Sequence, residues 1–186
     1  MKQSPCIGCG SVLPDVAGPT HGYLESSPAC WQTYCEVLAR EYGDPSLFKA
    51  VHRLTVDAYA VQHPGHASPR SIQSVAVHLM GLCTVLGDGS SAEWASKVIR
   101  EAVEGRVRFI WLPPPASLGP LTVVDVGKAK GAAEHERRVR DWASSVWEAW
   151  SPHHATIRLW CSVVRKGRIA APATVSGELR TGRHLR

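Results

Sequence analysis

Apolar residues recur three and four positions apart along most of this chain, the spacing of a helix that buries one face. The first such run opens at Ser27-Pro28, an N-cap followed by proline at the first helical position, and carries Cys30, Trp31, Tyr34 and Leu38 to Gly43. Asp44-Pro45 repeats that start. It predicts a second helix from Pro45 to about Gln62, with Phe48, Val51, Leu54, Val56, Ala58 and Val61 as apolar contacts, stopped by His63-Pro64-Gly65. A third helix starts at Ser68-Pro69 and runs to Gly87; its apolar surface is broad enough for a central position. A shorter one spans Ser91 to Val103. The stretch from Val107 to Leu112 reads as a lone strand or a packed strap before Pro113-Pro114-Pro115. Thr122 caps a short helix with Asp125 in its first turn, a long helix runs from about Ala132 to Trp150, and Ser151-Pro152 kinks or restarts it as far as about Val164.

These elements predict a mostly α fold, a compact bundle of five to six helices with a cysteine-rich, metal-binding loop at its N-terminal end. One domain over residues 1–164 accounts for the pattern, with the metal knuckle in residues 1–26 and a basic tail in residues 165–186. Six Lys or Arg and one acidic residue, Glu178, fall in that tail, whereas the first 164 residues hold 15 basic and 15 acidic groups. The excess charge is therefore a property of the tail, and glycine, proline and small residues there suit a flexible end. Nucleic acid is a minor partner class, confined to that segment. The opening residues lack the apolar core of a signal peptide, and no apolar run of about 20 residues exists to span a bilayer. A cytoplasmic protein with no membrane partner is the expectation, and six cysteines there read as ligands or packed thiols.

The sharpest chemical signal is Cys6-Ile7-Gly8-Cys9-Gly10. A two-residue spacer lets two thiolates face one ion, and the flanking glycines ease the tight turn. Cys30 is the best third ligand, because the first turn of a helix stabilises a thiolate. His21 or His63 supplies the fourth. Cys35, five residues on and about 140° around the helix, is a poorer co-ligand. Zinc suits mixed Cys/His ligation, with iron as the alternative.

Three further groups carry candidate chemistry. His52, Tyr59 and His63 share a face of the second helix, where imidazoles can ligate metal or move protons and a phenol can orient a developing oxyanion. Asp57 projects away from that face, and Gln62 offers a polar contact beside it. Ser71, Ser74 and His78 form a polar stripe on the third helix, which places His78 near the middle of an antiparallel neighbour, closer to His52 than to His63. Trp142, Trp147, Trp150, His153, His154 and Arg158 form an aromatic pair of helices, on which His154 and Arg158 can hold an anionic small molecule. His66 and His135 read as surface residues. No phosphate-binding glycine loop, nucleotide fingerprint, Glu-x-x-His pair or His-Glu-x-x-His helix is present.

The ordered blocks Cys6-x-x-Cys9-Gly10, Gly18-Pro19-Thr20-His21-x-Tyr23, Ser27-Pro28-x-Cys30-Trp31, Val56-Asp57-x-Tyr59-x-x-Gln62-His63-Pro64-Gly65, Ser74-Val75-x-Val77-His78-Leu79 and Trp147-x-x-Trp150-x-Pro152-His153-His154 resemble an uncharacterised bacterial family, a domain of unknown function of actinobacterial type. The resemblance extends from Cys6 to about Trp160. It puts Cys6, Cys9, His21, Cys30, Asp57, Gln62, His63 and His78 on motif positions but implies no particular activity.

The sequence thus predicts a small metal-dependent enzyme, a hydrolase or lyase acting on a small polar metabolite by hydrolysis, hydration or elimination. Cys6, Cys9 and Cys30 hold the ion with His63 or His21. Asp57, Tyr59, His63 and His78 are the catalytic candidates, and Gln62, His154 and Arg158 the substrate contacts. A closed sphere of four protein ligands would instead make the metal structural. The alternative is a non-enzymatic zinc-stabilised helical module that binds a protein or nucleic acid.

Overall fold

The computed structural model describes residues 2–105 and 107–170. Seven α-helices follow a short hairpin among them: β1 (Gln3–Pro5), β2 (Val12–Pro14), α1 (Pro28–Gly43), α2 (Pro45–Gln62), α3 (Pro69–Leu82), α4 (Ala92–Glu104), α5 (Val123–Gly127), α6 (Ala132–Ala149) and α7 (His154–Ala170). The helix starts lie where the capping chemistry placed them. Ser27, Asp44, Ser68 and Ser91 each accept a hydrogen bond from a first-turn amide, and Thr122 with Asp125 forms a reciprocal capping box. Each satisfies a donor that the helix itself leaves without a partner.

Two features depart from the expected elements. The third helix changes to π-helical winding over Cys83–Gly87, where the Thr84 hydroxyl donates to the Met80 carbonyl at 2.8 Å. The hairpin was not foreseen. Its strands have three residues each, paired antiparallel with Gln3 opposite Pro14 and Pro5 opposite Val12, too short for an alternating pattern to show. The stretch at 107–112 is a strap with no strand partner; Phe109 meets the edge of Trp160 at 5.2 Å and Leu112 is buried. Helix α7 continues through Ala170, so the first residues of the basic segment are helical, and 171–186 lie outside the described residues.

Helix α2 occupies the centre, packed against α1, α3 and α6. Val51, Leu54, Ala58 and Val61 are buried as the pattern required, together with Trp142, Trp150, Leu79, Met80 and Ile157. Phe48, expected among the apolar contacts, is 43% exposed and lies against the His52 ring. His135 is the reverse case. Read from sequence as a surface residue, it is buried, because α6 turns it inward to place Nε2 3.0 Å from Oε1 of the buried Glu41.

The α2–α3 contact is close at one position. Asp57 on α2 is fully buried, and a Cβ at Gly81 of α3 would lie 2.0 Å from its Oδ2. The helices approach this closely only because residue 81 has no side chain. Gly81→Ala is therefore expected to cost about 2–4 kcal/mol, since the added methyl displaces a buried, hydrogen-bonded carboxylate. Urea unfolding measures the loss, and a change near zero would contradict this packing.

Candidate metal centre

The hairpin presents the first two sulfurs. Its loop closes through Cys6 N–H donating to the Ser11 carbonyl and Gly10 N–H to the Cys6 carbonyl, both at 2.9 Å, with Gly10 at φ 75°. That left-handed conformation favours glycine. Gly8 meets a different demand: a Cβ there would lie 2.4 Å from Cδ2 of His63 and 2.5 Å from the Glu25 carbonyl. Only glycine lets the knuckle sit down on the end of α2. The Cys9 thiol lies 3.4 Å from Ser11 Oγ, and that hydroxyl donates to Thr122 Oγ1 at 2.9 Å, which ties the loop to the start of α5.

The third sulfur, Cys30, projects from the first turn of α1, and the imidazole of His63 stands at the C-terminal end of α2. The four ligand atoms of Cys6, Cys9, Cys30 and His63 all lie within 4.8 Å of one another, a group able to hold a metal ion. The separations are 3.8 Å for Cys9 Sγ to Cys30 Sγ, 3.6 Å for Cys6 Sγ to His63 Nε2 and 3.4 Å for Cys30 Sγ to His63 Nε2. A tetrahedral zinc with ordinary bond lengths requires about 3.8 Å between sulfurs and about 3.5 Å between sulfur and nitrogen.

Surrounding groups orient these ligands. His63 Nδ1 lies 2.8 Å from the Tyr59 carbonyl, which takes the Nδ1 proton and leaves the Nε2 lone pair directed at the sulfurs. Ser27 N–H donates to Cys6 Sγ at 3.3 Å, and the Tyr59 hydroxyl donates to Cys30 Sγ at 3.7 Å. Burial and the neighbouring Cys30 sulfur push the Tyr59 phenol well above its ordinary range, so it stays a donor. Hydrogen bonds from Cys30 and Cys9, more than His63 or the Ser27 amide, hold the Cys6 thiol far below its usual value. Cys30 moves the opposite way, pushed up by Cys6, Cys9 and burial. Burial alone would lower His63, but the Cys6 and Cys9 sulfurs raise it to about 9. Four groups crowded to this degree compete for protons, and a cation replaces those protons.

His21 is not one of the four. Its ring packs against Tyr23 and Trp31, and its Nδ1 lies 3.5 Å from the Tyr23 amide. Among the other candidates, Tyr59 and His63 belong to the Cys/His cluster, whereas Asp57 and His78 form a separate pair: His78 Nδ1 lies 2.7 Å from Asp57 Oδ1, and Arg53 grips the same carboxylate through Nε and Nη2. His78 thus meets Asp57 rather than His52, because α3 crosses α2 one turn further along. Gln62 is fully buried, donating to the Leu118 and Leu121 carbonyls and accepting from Trp142 Nε1; its amide fastens the 118–121 loop and has no group left for a substrate. His154 stacks on Trp147 at 3.6 Å and directs Nε2 to that residue's carbonyl, while Arg158 is exposed beside it. Trp142, Trp147 and Trp150 are core.

Sequence reasoning missed two contributors to these clusters. Ser27 is legible only as a helix cap, and Glu41, with no motif around it, carries no signal until His52 and Thr55 of α2 and His135 of α6 converge on its carboxylate. No curated protein and no solved structure shows a significant match to this chain. Residues 4–151, which include all four candidate ligands, match the family described as "Family of unknown function (DUF5946)", and the chain belongs to that family.

Proposed function

We propose that this chain binds one zinc ion through Cys6, Cys9, Cys30 and His63, and that the ion is structural. The observation that carries the reading is the agreement of the three measured ligand separations with a tetrahedral Cys₃His sphere. Four protein ligands leave no open coordination position for water or a carbonyl, so the geometry favours the zinc-stabilised helical module over hydrolysis at the metal. Cys6 and Cys9 belong to a two-stranded hairpin that is too small to be stable alone, and Cys30 and His63 belong to different helices. The ion would clamp all three, with apparent binding free energies for such sites of order 10 kcal/mol.

A second reading keeps acid–base chemistry on a small polar molecule but moves it off the metal. It is favoured by Asp57, which is buried and bonded to Nδ1 of a His78 ring that retains partial exposure. A carboxylate behind an imidazole fixes its tautomer and leaves Nε2 to exchange protons.

Elemental analysis of purified protein is expected to give one zinc per chain. Cys6→Ser, Cys30→Ser and His63→Ala should each lose it, while His21→Ala and His78→Ala retain it. Cobalt substitution should give the intense visible bands of a tetrahedral thiolate site, and zinc retained in Cys30→Ser would overturn the assignment. Gly8→Ala, which drives a methyl into His63 and the Glu25 carbonyl, should weaken zinc binding at least about tenfold in a chelator competition. The same competition run against pH should show affinity falling as pH is lowered. Zinc must displace the protons held by His63, whose value is raised to about 9, and by Cys30, whose thiol is pushed up. Chelation should lower the melting temperature by on the order of 10 °C.

A further inference from the structure

Outside the Cys/His cluster, α2 and the start of α4 form an open cleft of about 320 Å³ lined by Phe48, Lys49, His52, Arg53, Val56, Ala92, Glu93 and Ser96. That is the lower end of the size range of small-molecule sites, roughly 300–1,000 Å³. Two of its polar side chains are held in place by fully buried carboxylates. His52 Nδ1 lies 2.8 Å from Oε2 of Glu41, whose other oxygen takes the Thr55 hydroxyl at 2.5 Å and His135 Nε2 at 3.0 Å. Stacking on Phe48 at 4.3 Å and contact with Tyr42 at 4.9 Å fix the His52 ring plane. Arg53 is pinned from behind by Asp57 through Nε and Nη2, and that carboxylate is itself bonded to His78.

Each pinned group keeps one nitrogen uncommitted. For His52 it is Nε2, and for Arg53 it is Nη1, neither of which has a hydrogen-bond partner among the described residues. A guanidinium immobilised before binding loses little side-chain freedom when it takes an anion, and an Nη1 N–H beside the second Nη2 N–H forms a parallel pair that matches two oxygens of an oxyanion. Lys49 adds a second cation on the same wall. Glu93 is the acidic residue of the lining, but its carboxylate turns back to its own amide and the Ser91 hydroxyl at the start of α4. That carboxylate therefore occupies the positive end of α4 itself, and Arg53 and His52 are the groups left to face an anion.

We infer that this cavity is a binding site for a small oxyanion, a carboxylate or phosphoryl compound, with Arg53 as the anchor and His52 as the group that donates a hydrogen bond to it or exchanges a proton with it. Phe48 and Val56 would cover the apolar part of the ligand. The site shares none of its residues with the metal centre, and Glu41 acts only through His52, as a positioning residue.

The test is a titration of the full-length, zinc-loaded protein with inorganic phosphate and, separately, with malonate, followed by NMR of the histidine rings and backbone amides. The expected result is a saturable change at His52 and at residues 92–96, from either probe or both; the effective probe identifies the chemistry. Arg53→Gln should weaken it by about tenfold or more, Ser96→Trp should abolish it by filling the cavity from the exposed face of α4, and Arg158→Gln on α7, outside the lining, should leave it unchanged. Because Arg53→Gln strands a buried Asp57, Ser96→Trp and Lys49→Gln carry the test if that variant does not fold. Glu41→Gln should reduce the His52 response while the protein keeps its zinc, which a purely structural Glu41 would not produce. No saturable change with either probe, or one that persists in Ser96→Trp, would overturn the proposal.

Discussion

Every ionisable or polar group that α2 turns inward has to find compensation on a different element, and that constraint sets how the rest of the molecule is assembled. An unpartnered buried charge costs several kcal/mol, comparable to much of a domain's net stability. Asp57 is met by Arg53 and by His78 from α3, Thr55 by Glu41 from α1, Gln62 by Trp142 from α6, and His63 by sulfurs from the hairpin and α1. Each pairing fixes the rotation and register of one neighbour against the central helix. Apolar burial supplies the bulk of the stabilisation, but it is less selective about register than a pair of hydrogen-bonded partners is.

The Cys6, Cys9, Cys30 and His63 cluster is the extreme form of the same arrangement. Three sulfurs and an imidazole within 4.8 Å of one another have too few protons to satisfy each other well and too little water nearby to be solvated. Their opposed shifts, Cys6 down and Cys30 and His63 up, express that competition. A metal ion held there would resolve it in one step. The surrounding donors, Ser27 N–H and the Tyr59 hydroxyl, would then bond to charged thiolates, and the Tyr59 carbonyl would hold the ligating tautomer of His63. No helix among the described residues is long and apolar enough to cross a membrane.

The candidate site was partly legible before any coordinates. Cys6 and Cys9 declare themselves by spacing and Cys30 by its place in a helical first turn, because both signals are local. The choice between His21 and His63 was not local. Both lie near the knuckle in the pattern of motifs, yet only His63 reaches it, since Gly8 allows the loop to rest against that ring while His21 is taken up by Tyr23 and Trp31. Gln62 and His135 show the limit of residue-type reasoning. A glutamine beside a candidate ligand suggests a substrate contact, and a histidine in a charged helix suggests a surface, but both are buried because Trp142 and Glu41 wait for them across the core.

By itself, the sequence determined the helices and their limits: Ser-Pro and Asp-Pro starts, glycine and proline stops and a 3.6-residue apolar period act over a few residues and need no distant partner. It also determined that two thiols would face one point. Only the tertiary structure decided which imidazole completes that point, that Asp57 belongs with His78, and that Glu41 stands behind His52 at the wall of a cavity. The reason is that such pairings join residues far apart in the chain, and their energy depends on the distances and burial that packing creates.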